Sequence, residues 1–292
     1  MRVAVIGATG QLGGALMQAF GSHAVTGTVR RDPGPGEVLL DLARPASIPA
    51  ALDAVGAELV LLAAAMCHVD GCEQDPAACA TVNVEGTRAV AAWARAVQAR
   101  VVFFSTDHVF DGAAPDYGED ASVNPLNEYA KSKARAEGVL RETLAERHLI
   151  LRTAWLYGPD GARRNFALRL VARLAAGERV PVPADQWGAP TYTEDLAAIT
   201  RHLVERGAVG TFHATGPELV DRLSLAHRIC ARFKIDAAGL VPTTTAALAQ
   251  PAPRPLRVRL RGERLTATGA PRARGVDEGL VALHRWDSET AA

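Results

Sequence analysis

The sequence predicts an α/β fold, a doubly wound parallel sheet with a smaller α+β lobe attached. Three observations carry that reading. Short aliphatic runs alternate with helical patterns through the first half of the chain, and those runs are apolar on both faces. The alternation then breaks after Gly158, where Pro159, Pro181, Pro183 and Pro190 punctuate shorter elements. Strands apolar on both faces belong in a parallel sheet with helices on each side, because only there are both faces dry.

Residues 3–6 form a short β-branched run stopped by Gly7, and Leu12, Leu16, Met17 and Phe20 then recur on one face of a helix. Residues 25–29 and 38–40 give the second and third strands, an Ala/Leu-rich helix covers about 47–55, and residues 59–63 give a fourth strand. Asp75-Pro76 supplies an N-cap and a proline at the first helical position, where its missing N–H is no loss; that helix runs to about Gln98. Residues 101–105 make the fifth strand, a helix covers roughly 127–147, and residues 148–153 make the sixth strand. Farther on, a helix near 194–204 and a strand near 210–214 have the pattern to return to the first sheet, whereas the Pro/Arg stretch 250–261 has no period. The predicted division is a nucleotide-binding domain at 1–157, joined by a returning segment at about 191–214, and a smaller substrate-binding lobe from 158–190 and 215–292.

Lys+Arg and Asp+Glu both total 32, so no global field attracts a nucleic-acid backbone or an anionic membrane, and neither is expected as a partner. With 48% hydrophobic and 22% charged residues the chain is neither disordered nor fibrous. Cys67, Cys72, Cys79 and Cys230 lack the paired spacing of a zinc site and are too few for a disulfide framework, so no metal site is expected and reduced thiols in a cytoplasm are. The first residues show no leader-like segment, and the longest apolar run, 59–67, is too short to span a bilayer. Only three of the basic residues are lysines, Lys131, Lys133 and Lys234. Where arginine serves for ordinary surface charge, two lysines within three residues invite a chemical reason.

Gly7, Gly10 and Gly13 form G-x-x-G-x-x-G between the first strand and the first helix. Backbone amides at a helix N-terminus can hold a pyrophosphate there, and each missing Cβ lets backbone approach backbone or ligand. In this strand–turn–helix context the reading is a Rossmann-like dinucleotide site, with a ligand-free tight turn as the alternative. An acid that binds an adenosine ribose should close the second strand, yet that strand ends Thr28-Val29-Arg30-Arg31-Asp32. Arginine suits a 2′-phosphate better than a free hydroxyl, so NADPH is the expected cofactor; NADH stays open if Arg30 and Arg31 are solvated loop charges. Asp41, closing the third strand, suits either an adenine amino group or a plain turn.

Tyr129 and Lys133 stand four residues apart on a predicted helix, so both emerge on one face. A lysine ammonium beside a phenol favours the phenolate and is expected to lower its pKa from about 10 toward neutrality, letting Tyr129 donate and recover a proton during carbonyl reduction. Thr106, at the end of the fifth strand, brings a hydroxyl to the carboxyl edge of the sheet, where ligands bind in such folds, and can hydrogen-bond a carbonyl oxygen as charge builds. Alone, Y-x-x-x-K recurs in many amphipathic helices. In register with the glycine turn and Ser105-Thr106 it reads as a catalytic constellation.

These residues resemble the extended short-chain dehydrogenases/reductases, and specifically the dTDP-4-dehydrorhamnose reductase family. The matching stretches are Gly7-Ala8-Thr9-Gly10-Gln11-Leu12-Gly13, Ala63-Ala64-Ala65 with Val69-Asp70, Ser105-Thr106-Asp107 with Val109-Phe110-Asp111-Gly112, Tyr129-Ala130-Lys131-Ser132-Lys133, Arg152-Thr153-Ala154-Trp155 with Tyr157-Gly158, Asp185-Gln186-Trp187-Gly188-Ala189-Pro190-Thr191, and Arg254-Pro255. The resemblance implies a catalytic triad of Thr106, Tyr129 and Lys133, with Lys133 also holding the nicotinamide ribose. It implies cofactor contacts from Gly7, Thr9, Gly10, Gln11, Leu12, Gly13, Arg30, Arg31, Asp41, Leu42, Ala63, Ala64 and Ala65, with Asn83 supporting that site. It implies hydride transfer to the C4 ketone of a nucleotide-linked 6-deoxyhexulose, a nucleotide-sugar substrate faced by Val69, Asp70, Thr106, Asp107 and Trp155. A homodimer is compatible with it.

Three positions depart from the family pattern. Thr106-Asp107-His108 stands where Thr-Asp-Tyr is usual, putting a titratable ring in place of a phenol, for which a supporting or core role is expected. Arg257 falls near a position expected to be small or amide-bearing, and Cys67 where a small polar residue is common. Related 4,6-dehydratases resemble one another in Thr-Asp-Glu at the sheet edge; with His108 there, elimination lacks its base. An epimerase stays open, since the triad can oxidise and re-reduce one carbon, although the arginine-ended second strand favours net reduction. A regulatory reading belongs to a different class: the β subunit of methionine adenosyltransferase keeps this fold and nucleotide site while binding a partner enzyme.

Overall fold

A computed structural model describes residues 1–291. Seven strands form one sheet: β1 (Arg2–Ile6), β2 (Ala24–Val29), β3 (Val38–Leu39), β4 (Leu59–Leu62), β5 (Arg100–Thr106), β6 (His148–Thr153) and a late strand, Gly210–His213. The late strand borders β6, and the order continues β5, β4, β1, β2, β3, with every neighbour parallel. The order reverses between β1 and β4, where the chain leaves β1 in one direction and returns in the other. A crevice at the carboxyl ends of strands opens at such a reversal, and it is where open α/β sheets take ligands.

Side chains alternate between two cores, as the two-residue period of a strand requires. Val3, Val5, Leu59, Leu61, Phe104 and Leu151 face the helices Gln11–Ala19 and Thr193–Glu205. Ala4, Ile6, Val60, Leu62, Phe103 and Ile150 face Ile48–Val55, Gly86–Val97 and Glu128–Leu144. Each of these aliphatic side chains, removed from water, contributes about 1.5–3 kcal/mol, which is why the unbroken apolar strands define the architecture.

The smaller lobe has its own core. Leu168, Ile229, Leu280 and Leu283 bring together the helices Phe166–Ala175, Arg222–Phe233 and Val276–Ala291, with Tyr157 and Tyr192 packed among them. A short parallel pair, Val180–Pro183 with Leu240–Thr243, edges it. The unperiodic stretch 250–261 is fixed by a separate cluster of Val109, Phe110, Tyr117, Val258 and Leu260. Among the described residues no helix is long and apolar enough to cross a membrane.

Two elements differ from the sequence expectation. The helix expected to run from Pro76 to Gln98 is interrupted: Pro76–Ala80 passes into a wider π turn, Thr81–Glu85, before Gly86–Val97. The extra residue in that turn rotates Asn83 inward, and such bulges gather at functional sites. The helix expected to reach Arg147 ends at Leu144, where Ala145 takes a left-handed φ of 43° and starts a 3-10 turn.

Candidate active site

The glycine turn sits at the head of β1. Gly7 adopts φ +91°, which a side chain would resist, and its N–H and that of Ala8 donate to Thr28 O at 3.3 and 3.2 Å, tying the turn to the end of β2. A Cβ on Gly13 would land on the Gly7 carbonyl oxygen, so that glycine sets how closely the helix meets the turn. Helix Gln11–Ala19 begins at Gly10 with no side-chain cap and no acidic residue in its first turn. Its first amides and the positive end of its dipole are therefore available to an anion. A groove of about 200 Å³ opens beside them, lined by Thr9, Gly10 and Gln11 and faced by Asp160 and Trp286. Leu12 points into the core, so its backbone alone can meet a ligand.

The other expected cofactor residues do not line this groove; most of them follow the ends of β2, β3 and β4. Arg30 and Arg31 are exposed just beyond β2. Asp41 accepts from Ala43 N at 3.0 Å with one carboxylate oxygen, and among the described residues the other has no hydrogen-bond partner. Leu42 is buried against Gly86, and Ala63, Ala64 and Ala65 follow β4, with Ala64 where a Cβ on Gly7 would come within 2.9 Å. Asn83 is buried. It accepts from Met66 N at 2.8 Å and donates to Met66 O at 3.0 Å and Ser132 Oγ at 2.9 Å, joining the segment after Ala65 to the helix that carries Tyr129.

That helix, Glu128–Leu144, starts where Asn127 caps it, accepting from Ala130 N at 2.9 Å and donating to Pro253 O at 2.8 Å. Tyr129 in the first turn meets Thr106 at the end of β5. The Thr106 hydroxyl faces the phenol and favours its charged form, donates to Asp107 Oδ1 at 3.1 Å, and accepts from His108 N at 3.2 Å. The His108 ring stands edge-on to Tyr129, 6.1 Å between centroids, half-buried and with no partner for its buried Nδ1. Lys133, one turn on, is buried with its ammonium 3.8 Å from the Phe103 ring centroid. Beneath it Glu137 receives two bonds from Arg152, at 3.0 and 2.7 Å, locking the helix to β6.

The expected lowering of the Tyr129 pKa is contradicted. Burial pushes the phenol well above its ordinary value of 10, the charges of Cys67 and Asp107 push the same way, and only the Thr106 bond opposes them. The reason is desolvation of the phenolate in the part-buried site; the Lys133 ammonium also packs over Phe103. Burial likewise pulls Lys133 down to about 8, against the opposing charge of Glu137. Asp107 is pushed up by burial, and burial pulls His108 below 6.5.

On the sugar side, Val69 opens the short helix Val69–Gln74 and is half-buried. Asp70 offers no free carboxylate: Arg254 binds both its oxygens, at 3.0 and 2.9 Å, and Ala252 N donates to it at 3.2 Å, strapping the 250–254 stretch to the short helix Val69–Gln74. Trp155 is half-buried at a left-handed φ of 43°. One face of its indole lies against Gly188, where a Cβ would collide with the ring, and the Arg222 guanidinium stands 3.5 Å from the ring centroid. Arg222, Ser132 and the Asp70–Arg254 strap escaped sequence reasoning. Only the Arg254-Pro255 pair gave a signal, and nothing near Arg222 did. Among the described residues no three His, Cys, Asp or Glu side chains converge as a metal-binding group.

A parallel sheet with its order reversed at β1 and β4, a glycine turn there, and a Tyr129–Lys133 helix beside Thr106 define the class of extended short-chain dehydrogenases/reductases. Within it the chain belongs to the family of the RmlD substrate binding domain, which matches residues 1–285. It is 35% identical to a probable dTDP-4,6-dihydroxy-2-methyloxan-3-one 4-ketoreductase of Streptomyces antibioticus, covering 99% of this chain and 92% of that protein. It is also 35% identical to dTDP-4-dehydrorhamnose reductase of Streptomyces griseus, covering 86% of this chain and 82% of the relative. Among solved structures, dTDP-4-dehydrorhamnose reductase of Bacillus anthracis, in complex with NADP, superposes with a TM-score of 0.88 at 27% identity over 99% of both chains.

Proposed function

We propose that the protein reduces the 4-keto group of a nucleotide-activated 6-deoxyhexulose with NADPH. The observation that carries this is the placement of Tyr129 and Lys133 one turn apart on one helix, with the phenol facing the Thr106 hydroxyl at the carboxyl end of β5, on the sheet edge where the order reverses beside the glycine turn. A general acid must hold its proton at the working pH, and partial burial favours the protonated phenol of Tyr129. NADPH, when bound, supplies the hydride. Thr106 hydrogen-bonds the ketone oxygen, so that charge developing there meets a positioned donor. Tyr129 then protonates that oxygen. Lys133 holds the nicotinamide ribose and, as a cation, favours the phenolate left behind until it is reprotonated. The exposed pair Arg30 and Arg31 receives the 2′-phosphate. The names of the Streptomyces relatives and the NADP complex of the Bacillus anthracis enzyme support the substrate class and the cofactor.

The test is purified protein with a panel of dTDP- and GDP-4-keto-6-deoxysugars, following NADPH oxidation. Tyr129→Phe is expected to lower kcat by about 10²- to 10⁴-fold. Replacing Arg30 and Arg31 by Ala is expected to narrow the NADPH-over-NADH preference by roughly 10- to 100-fold. A wild type that binds NADPH tightly, oxidises it with none of these sugars and captures a partner enzyme instead would establish the regulatory reading.

A further inference from the structure

Arg222 begins the helix Arg222–Phe233, and its guanidinium lies on the Trp155 indole, with the Phe166 ring 4.7 Å away. Among the described residues its side chain has no hydrogen bond or ion pair; what faces it is charge at longer range, attractive from Asp107 and repulsive from Arg169 and Arg254. Arg254 is neutralised by Asp70 at 2.9 Å. Arg169 is exposed and, among the described residues, likewise unpaired. Two unpaired guanidinium groups thus share one flank of the cleft against Asp107, whose own charge burial disfavours. Arg222 is half-buried, and a cation partly withdrawn from water without a counter-ion gains from an anionic ligand.

The surroundings hold this cation in place. The left-handed backbone of Trp155 and the missing Cβ of Gly188 turn the indole into a shelf, with Gly188 under it and Arg222 on top. Asp107 and His108, the neighbours of Thr106, both feel the Arg222 charge, so the shelf stands on the Thr106 side of the cleft. We infer that Arg222, with Arg169 beside it, binds the diphosphate of the nucleotide sugar. A planar guanidinium presents two parallel donors to phosphate oxygens, and stacking on the indole fixes the plane. The inference rests on the nucleotide-sugar reading above and names the residue that holds the anionic part of that substrate.

The test is equilibrium binding of thymidine diphosphate and of thymidine to the NADP⁺-loaded protein, in the wild type, Arg222→Gln and Arg169→Gln. The wild type is expected to prefer the diphosphate. Arg222→Gln is expected to lose about 10- to 100-fold on thymidine diphosphate and little on thymidine, with NADP⁺ affinity unchanged, and Arg169→Gln to lose less because it is exposed. Unchanged diphosphate affinity in Arg222→Gln, or equal losses on both ligands, overturns the assignment. If Arg222→Gln does not fold, the wild type decides: a diphosphate preference that shrinks as salt rises supports the assignment, and thymidine diphosphate bound no better than thymidine overturns it. A wild type that reduces a 4-keto sugar while Arg222→Gln binds thymidine diphosphate normally refutes this inference alone. Arg222-dependent diphosphate binding without reductase activity refutes the proposed reaction alone.

Discussion

Glu137→Ala should destabilise the protein more than any exposed substitution. The Glu137 side chain is 1% exposed and that of its partner Arg152 3%. Removing the carboxylate takes away both Arg152 bonds and leaves a buried guanidinium whose other contacts, Glu119 O and His213 Nε2 at 3.3 Å each, carry no negative charge. Breaking one side of such a pair costs about 3–5 kcal/mol. Arg141, which also bonds Glu137 at 2.7 Å, is 42% exposed and turns to water, adding roughly 0.5 kcal/mol at most. Against a total stability of about 5–15 kcal/mol the loss is large, and it corresponds to a fall in melting temperature of roughly 6–20 °C. Urea unfolding followed by circular dichroism measures it. The double variant Glu137→Leu with Arg152→Met removes both charges and should recover most of the loss. A loss under about 1 kcal/mol for Glu137→Ala, or a double variant no better than the single one, refutes the reasoning. The pH dependence has a definite sign. Burial raises the Glu137 carboxyl, but the hydrogen bonds and charge of Arg152 pull harder and hold it below the ordinary 4.5. A group depressed in the folded state contributes fully above its unfolded pKa, so the gap between wild type and Glu137→Ala closes as pH falls through and below 4.5.

Two further outcomes are expected. Lys133, pulled by burial down to about 8, loses its charge above that pH, so kcat/KM for reduction should fall on the alkaline side, and Lys133→Met should lack that limb. Because its folded pKa lies below the ordinary 10.5, protonated Lys133 opposes folding under pH 8, and its replacement by Met should stabilise the protein there; a profile flat from 8 to 10.5 counts against both. Gly13→Ala sets a Cβ on the Gly7 carbonyl, backbone against backbone with no side chain to yield. NADP⁺ affinity and melting temperature should both drop, and a calorimetric titration with unchanged affinity would contradict this.

What could be read from the chain was governed by local rules. The glycine turn follows from spacing, the shared face of Tyr129 and Lys133 from helical period, the position of Thr106 from the end of an apolar strand, and β6 was delimited to the residue. What escaped depends on partners far away in sequence. Asp70 reads as a free acid until the fold brings Arg254 to it, 184 residues later. That Phe103 lies beneath the Lys133 ammonium depends on the sheet and not on the helix that carries it. The inward turn of Asn83 needs a π bulge that no propensity announces, and Arg222 reaches Trp155 only because the second lobe folds back.

The strand Gly210–His213 completes the sheet from the far side of the lobe. On a ribosome, then, β6 emerges with its outer row of amides and carbonyls bare and stays so until the whole intervening stretch has been synthesised. A bare apolar edge of this kind is a template for pairing with another chain. Expression of the first half alone should therefore yield aggregates, and the full-length chain should melt cooperatively rather than in two steps.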